Sequence, residues 1–240
     1  MRGTGRKEPF IEGLKDGIPI CLGYFAVSFA FGIQASEVGL SAFDAGMLSL
    51  LNVTSAGQAA GLGVIAASGS YVEMALVQLV INIRYLLMST ALSQKIDPEL
   101  PTRHRLGIAY GVTDEIFGAS IMRGGRLTPW YSYGITLISV AGWVTGTVLG
   151  AAAGRILPER ITSALGVALY GMFIAIVIPP AKRDRAVLAA VLGGVLLSSL
   201  LTWAPVVREV SSGTRIIAVT VAVAALCAVI WPREEEAADA

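Results

Sequence analysis

The sequence predicts an all-α integral membrane protein, built as a polytopic bundle of transmembrane helices. Hydrophobic residues make up 55% of the 240 residues and charged residues only 15%, whereas soluble domains carry about 25% charge. The mean hydropathy is +0.69. Uncharged apolar stretches recur along the chain, with the length of roughly 20 residues that a helix needs to cross a bilayer. Basic residues are scattered through short loops, so we predict the lipid bilayer as a partner and no nucleic acid.

Six stretches are predicted to span the membrane completely. The first runs from Gly17 to Ser36, with Pro19 in its first turn, where the missing N–H costs little. The stretch Tyr131–Gly154 carries a stripe of glycines at intervals of four residues, which suits close contact between helices. The later five stretches are Tyr71–Gln94, Tyr131–Gly154, Ile161–Ala181, Ala186–Val207 and Ile216–Trp231.

Two further segments, 41–68 and 104–122, are mainly apolar and carry polar groups near their centres. The first holds a dense row of small and polar groups from Asn52 to Gln58, and the second holds Asp114 and Glu115. A lipid-facing helix cannot satisfy amide or carboxylate groups. We therefore expect two re-entrant or broken helical segments, as in the discontinuous elements of transporters. The alternative is a bundle of eight simple spans.

The distribution of Lys and Arg favours the re-entrant arrangement. With Arg84 placed inside the membrane and the N-terminus in the cytoplasm, that arrangement puts thirteen basic residues inside and four outside. Eight simple spans put ten inside and seven outside. Because cytoplasmic loops carry the excess of basic residues in membrane proteins, we expect a multi-pass protein of the cytoplasmic membrane with a cytoplasmic N-terminus.

The chain is expected to form one integral membrane domain over residues 1–240. Residues 1–15 form a cytoplasmic N-terminus, 16–231 the membrane bundle and 232–240 a solvated tail. The basic start followed by an apolar run imitates a signal peptide, but more spans follow, and we expect a retained first helix. The pattern of an apolar run, a turn and a second apolar run recurs weakly at an offset near 117 residues, which suggests that the chain consists of duplicated halves.

Arg84 is the residue that the sequence marks most sharply. An arginine near the centre of a span costs about 2.5 kcal/mol or more, so it should face the bundle interior or water. Asp114 and Glu115 are adjacent and cannot point the same way along a helix. We expect one acid to pair with Arg84 and the other to carry a proton or bind an ammonium group. The alternatives are a purely structural ion pair at Arg84 and an interfacial segment in which both acids are wet.

Enzyme chemistry finds no support in the sequence. No His, Cys and Asp cluster has the spacing of a metal site, and no phosphate-binding loop or nucleophile elbow is present. Cys21 and Cys227 lie in apolar runs as packing residues, and His104 lies in a basic loop. We therefore predict no catalytic residue, no metal and no cofactor.

Four motifs in order resemble the AzlC-like family, the large subunits of branched-chain amino acid exporters. They are GLKDGIP at 13–19, the small polar motif that ends at Gln58, the Asn82-Ile83-Arg84 triplet and the Asp114-Glu115 pair. The resemblance extends from Gly13 to Trp203. It implies a secondary active transporter that exports branched-chain or similar neutral amino acids, driven by an ion gradient. It also implies a separate small hydrophobic subunit of the AzlD type as partner.

The leading hypothesis places the substrate carboxylate at backbone N–H groups near Ser55 to Gln58, or at Arg84, since helix N-termini bind anions. Its ammonium group would meet Asp114 or Glu115. Two other hypotheses stay open, a non-transporting scaffold subunit and a channel-like pore for small solutes. The predicted substrate-binding residues are Asn52, Ser55, Gly57, Gln58, Asn82, Arg84 and Tyr85. Tyr85 stands where the family commonly has a histidine, and the small polar motif lacks the family's flanking aromatic residues.

Overall fold

The structure, a computed structural model, describes residues 6–154, 156, 158, 160, 174, 177–203 and 210–231. Ten α-helices have both ends within these residues, residues 177–183 are helical as well, and the one β-type contact of the described residues is an isolated bridge between Ile96 and Leu127. The prediction of an all-α protein is confirmed. The helices are α1 (Lys7–Glu37), α2 (Ala42–Leu51), α3 (Ser55–Ala66), α4 (Tyr71–Asn82), α5 (Arg84–Ser93), α6 (Thr102–Tyr110), α7 (Asp114–Met122), α8 (Pro129–Gly154), α9 (Arg185–Trp203) and α10 (Ser212–Ile230).

Four of these helices, α1, α8, α9 and α10, are long and apolar enough to cross a membrane. The pair α4 and α5 makes a fifth candidate span, bent by 50°. Of the predicted span Ile161–Ala181, most residues lie outside the described part of the chain, while 177–183 are helical. The total of six full spans therefore stays a prediction.

The chain divides into two compact units. The first contains Met1–Leu62 and Asn82–Leu169, and the second contains Gly63–Ile81 and Tyr170–Ala240. In the second unit, the Ser211 hydroxyl donates to the Glu73 carboxylate and accepts a hydrogen bond from the backbone N–H of Thr214, at 3.2 Å, at the start of α10. Every residue that the sequence marks as a site residue belongs to the first unit.

In the first unit, α1 and α8 pack along their whole length through glycines. A Cβ at Gly32 would overlap the carbonyl oxygen of Thr147, and a Cβ at Gly150 would overlap that of Phe29. Nearer the start of both helices, a Cβ at Gly134 would overlap the carbonyl oxygen of Phe10. Early residues of α1 meet early residues of α8, so the two helices run parallel. The glycine stripe therefore allows the close backbone approach that its spacing predicts.

The connection from α5 to α6 lies beside the end of α7. The Lys95 ammonium donates to the carbonyl oxygens of Ile121, at 2.7 Å, and Arg123, and the Leu127 N–H donates to the Lys95 carbonyl at 2.8 Å. Arg123 also forms an ion pair with Glu12 of α1, at 2.6 Å. The beginning of α1, the beginning of α6 and the end of α7 therefore lie at the same end of this unit.

Tyr131, near the start of α8, is a core residue of the first unit and is only 1% exposed. Its hydroxyl donates to the Asp16 carboxylate at 3.0 Å. The physical reason is the register of α1 on α8, because Gly13 brings the two backbones together at Tyr131 and turns that side chain into the core.

Candidate functional site

Three interruptions of helical structure lie within the first unit or at its edge. Residues 52–54 separate α2 from α3, Ile83 separates α4 from α5, and residues 111–113 separate α6 from α7. The first and third lie in the two segments with polar centres, as predicted for broken helices. The second interrupts the predicted span Tyr71–Gln94, where α4 and α5 meet at a bend of 50°. Asn82 and Arg84, on either side of the bend, are held by different partners.

Hydrogen bonds and an ion pair bring these breaks together. The Thr54 hydroxyl of the first break donates to the Asn82 side-chain oxygen at 2.9 Å. The Arg84 guanidinium, at the start of α5, lies 3.0 Å from the Asp114 carboxylate at the start of α7. The three broken elements therefore meet in one region, through short contacts between residues that lie far apart in sequence.

A further contact joins the ends of the two half-helices that precede the outer breaks. The Tyr110 hydroxyl, at the last residue of α6, donates to the carbonyl oxygen of Leu50 in the last turn of α2, at 2.7 Å. Unpaired carbonyl groups at a helix end need a donor, since no further turn supplies one. This bond therefore fastens the end of α2 to the end of α6.

The two adjacent acids diverge, as the sequence predicts. Thr113 caps α7 by accepting from the Ile116 N–H at 3.3 Å, and both acids lie in the first turn, where negative charge is favourable. Asp114 faces Arg84, and both side chains are about half exposed, at 50% and 43%. Glu115 instead accepts a hydrogen bond from the Tyr24 hydroxyl of α1 at 2.6 Å. Asp114, and not Glu115, is the partner of Arg84.

These acids lie deep along the bundle. Tyr24 is twelve residues after Glu12 on the same helix, which corresponds to about 18 Å at the rise of an α-helix. Glu12 and its partner Arg123 mark one end of the unit, so Glu115 lies far from that end along the bundle, with its side chain exposed. A carboxylate at this depth needs polar partners, and the Tyr24 hydroxyl supplies one.

Gln58 has a different environment from the one that the sequence predicts. We expect a substrate contact at Gln58, yet the side chain is 0% exposed. Its oxygen accepts from the Trp143 indole N–H at 2.7 Å, and its nitrogen donates to the Ser49 hydroxyl at 2.8 Å. Because both ends of the amide are engaged inside the core, Gln58 joins α3 to α2 and α8.

The other predicted binding residues surround the first two breaks. Asn52 and Ser55 are half-buried, and Gly57 is buried with its N–H directed to the Thr54 hydroxyl at 3.3 Å. The helix α3 begins at Ser55, so the row of small residues forms its first turn. Backbone N–H groups of a first helical turn suit an anionic group. A role for these residues in substrate binding stays a prediction.

Arg84 has a second neighbour besides Asp114. The Tyr85 ring lies 5.2 Å from the guanidinium carbon, a distance typical of a cation–π contact. The Tyr85 ring therefore faces the one cation among the predicted binding residues.

Tyr24 and Trp143 are the residues that sequence reasoning misses. Their rings lie edge to face with centroids 5.4 Å apart, between Glu115 on one side and Gln58 on the other. Both occur in apolar spans, where an aromatic residue is ordinary. The signal in the sequence is the polar atom on each ring, which needs a partner when it is buried.

A groove with a volume of about 170 Å³ opens beside the third break. It lies between α5 and α6, and Val112 of the break forms part of its wall. Its lining is mostly aliphatic and consists of Ser89, Leu92, Ser93, Ile96, Arg105, Ile108, Ala109 and Val112. An aliphatic side chain of a small ligand is the kind of group that this surface accommodates.

The described part of the chain offers no group of three or more His, Cys, Asp or Glu side chains that could hold a metal ion. His104, which the sequence predicts to be neither base nor ligand, has its Nδ1 atom 2.8 Å from the Tyr133 hydroxyl. The site therefore contains one ion pair, one carboxylate that accepts a hydrogen bond from a tyrosine, and the ends of several helices.

Similarity to known proteins covers the same part of the chain. The family model described as AzlC protein matches residues 19–157, which include all three breaks. The inner membrane protein YgaZ of Escherichia coli is 30% identical over 203 residues, covering 80% of this chain and 83% of that protein. An uncharacterized membrane protein of Archaeoglobus fulgidus is 32% identical over 196 residues, covering 81% and 85%. No solved structure matches.

Proposed function

The chain belongs to the AzlC family of membrane proteins, and from that membership we propose that it is a secondary active transporter. Its substrates are branched-chain or similar neutral amino acids, which it exports across the cytoplasmic membrane. The observation that carries the proposal is that three broken helices are linked, through the Thr54–Asn82 hydrogen bond and the Arg84–Asp114 ion pair, beside the charged residue Glu115. Broken helices at mid-depth are the usual way in which transporters build sites for charged small solutes.

The polar contacts suit an amino acid that carries both charges. Its carboxylate takes the place of Asp114 at Arg84, or binds the first-turn N–H groups of α3 near Ser55. Its ammonium group binds Glu115, which forms no ion pair with a described residue. The aliphatic groove at Val112 then receives the side chain.

Coupling to an ion gradient is assigned to Glu115. Asp114 is the partner of Arg84, so neutralising it would leave an uncompensated cation. Glu115 is bound by a neutral tyrosine hydroxyl and can exchange its proton, or an ammonium group, without breaking an ion pair. This division of roles follows from the two different neighbours of the adjacent acids.

The same contacts support two re-entrant segments and a cytoplasmic N-terminus. The beginning of α6 and the end of α7 lie beside Glu12, near the N-terminus. The segment α2 starts near the opposite end of α8, since a Cβ at Gly46 would contact Val148. The two segments thus enter the first unit from opposite ends, and the basic loops fall on the N-terminal side, as the excess of cytoplasmic Lys and Arg requires.

A small hydrophobic subunit of the AzlD type is part of the proposal. Its support is the family membership together with the exposed apolar surface of the second unit, where none of the residues of α9 is buried. Lipid covers such a surface equally well, so co-purification with a small hydrophobic chain encoded nearby is the direct check.

The test compares export by cells with and without the full chain. Cells that express it should accumulate extracellular leucine, valine or isoleucine after being fed the corresponding dipeptides, and Glu115→Gln should abolish the gain. Glu99→Gln is the matched control, because Glu99 is an exposed acid in the turn before α6. A scaffold subunit would move nothing, and a pore would show neither saturation nor dependence on a gradient. Either result would contradict the proposal.

A further inference from the structure

Four buried residues form a closed ring of hydrogen bonds next to the first helix break. The Trp143 indole N–H donates to Gln58 at 2.7 Å, and Gln58 donates to the Ser49 hydroxyl at 2.8 Å. The hydroxyl oxygens of Ser49 and Thr147 are 2.7 Å apart, and the Thr147 hydroxyl donates to the Trp143 carbonyl oxygen at 3.0 Å. We call these four residues the ring. Each is at most 2% exposed.

The hydrogen bonds of the ring all run in the same direction, from donor to acceptor. An indole N–H can only donate and a carbonyl oxygen can only accept. The Thr147 hydroxyl gives its single proton to the Trp143 carbonyl, so the Ser49 hydroxyl must donate to Thr147. Each member therefore donates once and accepts once. Removing one donor leaves a buried acceptor without a partner, which weakens the whole arrangement.

The ring holds the break at 52–54 from both sides. Ser49 lies in the last turns of α2 and Gln58 in the first turn of α3, on either side of that break. Trp143 and Thr147 are on α8, one turn apart. The two half-helices are thus fastened to the same site on α8, which otherwise packs closely on α1.

Trp143 also contacts the residue that holds the other broken segment. Its ring lies 5.4 Å from that of Tyr24, edge to face, and is stacked on Phe31 at 6.5 Å. The Tyr24 hydroxyl is 2.6 Å from both Glu115 and the Thr113 hydroxyl, at the start of α7. The indole N–H therefore supports one break, and the indole ring supports the tyrosine that holds the other.

We propose that Trp143 is a positioning residue that holds both helix breaks of the transport site in register, through the ring at 52–54 and through Tyr24 at 111–113. The proposal rests on the proposed function for its transport consequence. Trp143 does not touch the substrate. Its effect on transport is to keep the groups that do so in place, so its loss should weaken binding more than turnover.

The first experiment measures L-leucine transport by vesicles that contain the full chain. Trp143→Phe keeps a six-membered aromatic ring but removes the N–H together with two ring carbons. Thr147→Val removes the hydroxyl donor and keeps the shape of the side chain, so it isolates the loss of a hydrogen bond. Both should raise the KM for L-leucine roughly tenfold, as expected for one buried hydrogen bond, with the maximal rate within twofold. Thr147→Ser keeps the hydroxyl and should behave as wild type, and so should Trp130→Phe, which lies outside the ring.

The second experiment needs no substrate. Val53→Cys, in a chain whose Cys21 and Cys227 are replaced by alanine, reports on access to the break. Trp143→Phe and Thr147→Val should each raise its labelling rate by a small maleimide roughly tenfold. Combining Trp143→Phe with Gln58→Met should raise the rate no further than the larger single effect, because both changes open the same ring.

The two readouts separate the two proposals. If the wild-type chain does not transport L-leucine but the labelling rates change as stated, the proposed function fails and the positioning role stands. If transport is present and Trp143→Phe changes neither the KM nor the labelling rate by more than twofold, the positioning role is contradicted. The positioning role is also contradicted if the variants only lower folded yield, with KM and labelling of the folded fraction unchanged.

Discussion

At the scale of single residues, the two adjacent acids have different partners and different roles. Both are in the first turn of α7, but Asp114 faces Arg84 and Glu115 faces Tyr24. The sequence identifies the charged residues because charge in an apolar segment is costly and needs a reason. It does not identify Tyr24, since an aromatic residue in a span is ordinary, and only the fold brings it to Glu115.

The first prediction concerns the ion pair. Arg84→Gln and Asp114→Asn should each lower the melting temperature of the purified chain, because each leaves the other charge without its partner. The free energy of unfolding of the double variant should fall by less than the sum of the two single effects. The coupling energy should be about 1 kcal/mol, since both side chains are half exposed. Arg84→Gln combined with Glu115→Gln should be additive. Coupling of Arg84 to Glu115 instead of Asp114 would contradict the assigned pairing.

At the scale of helices, close packing and helix ends decide the geometry. The glycine stripe of α8 and its contact with another helix follow from spacing alone, and so do the two segments with polar centres. The bend at Ile83 does not, because residues 71–94 contain no proline or glycine that would mark a break. The bend arises between Asn82, which accepts from Thr54, and Arg84, which reaches Asp114. Such partners are distant in sequence and carry no local signal.

The second prediction tests the contact between α1 and α8. Gly150→Ala places a methyl group against the carbonyl oxygen of Phe29 and should destabilise the chain by about 1–3 kcal/mol, as overpacking does. Gly23→Ala is the control, because no atom lies within 4 Å of the added Cβ. It should be neutral or slightly stabilising, since alanine favours helix. Equal effects of the two changes on thermal melting in detergent would contradict the packing.

The third prediction tests how α7 ends. Lys95→Met removes the ammonium group that donates to three backbone carbonyls, those of Ser120, Ile121 and Arg123. Losing these bonds should cost about 1–3 kcal/mol, since helix-terminal carbonyls need donors. Lys182→Met, at an exposed lysine, should have no measurable effect. A wild-type melting temperature for Lys95→Met would show that the ammonium group is dispensable.

At the scale of the whole molecule, the sequence predicts the class of protein but not the number of spans. Composition and hydropathy give an all-helical membrane protein, which the structure and the family membership confirm. Four candidate spans, or five with the bent pair, are present in the described residues. Whether a polar segment spans or re-enters depends on contacts between distant helix ends, which hydropathy does not encode.

The fourth prediction concerns the direction of the segment α6–α7. In a chain without its native cysteines, Pro98→Cys and Gly124→Cys should be labelled by an impermeant maleimide from the same side, the cytoplasm. Gly39→Cys, in the turn after α1, should be labelled from the opposite side. Residues 98 and 124 labelled from different sides would establish a full span through 104–122 and contradict a re-entrant segment there.

The measurement that most directly tests the proposed function is gradient-driven L-leucine flux in inverted membrane vesicles that contain the full chain. An imposed proton gradient should drive saturable L-leucine accumulation in these vesicles, and vesicles without the chain should show none. Glu115→Gln should abolish the accumulation, while Glu99→Gln should leave it unchanged. Accumulation by the Glu115→Gln chain at the wild-type rate, or flux that neither saturates nor responds to the gradient, would contradict the claim that this chain is a coupled amino acid transporter.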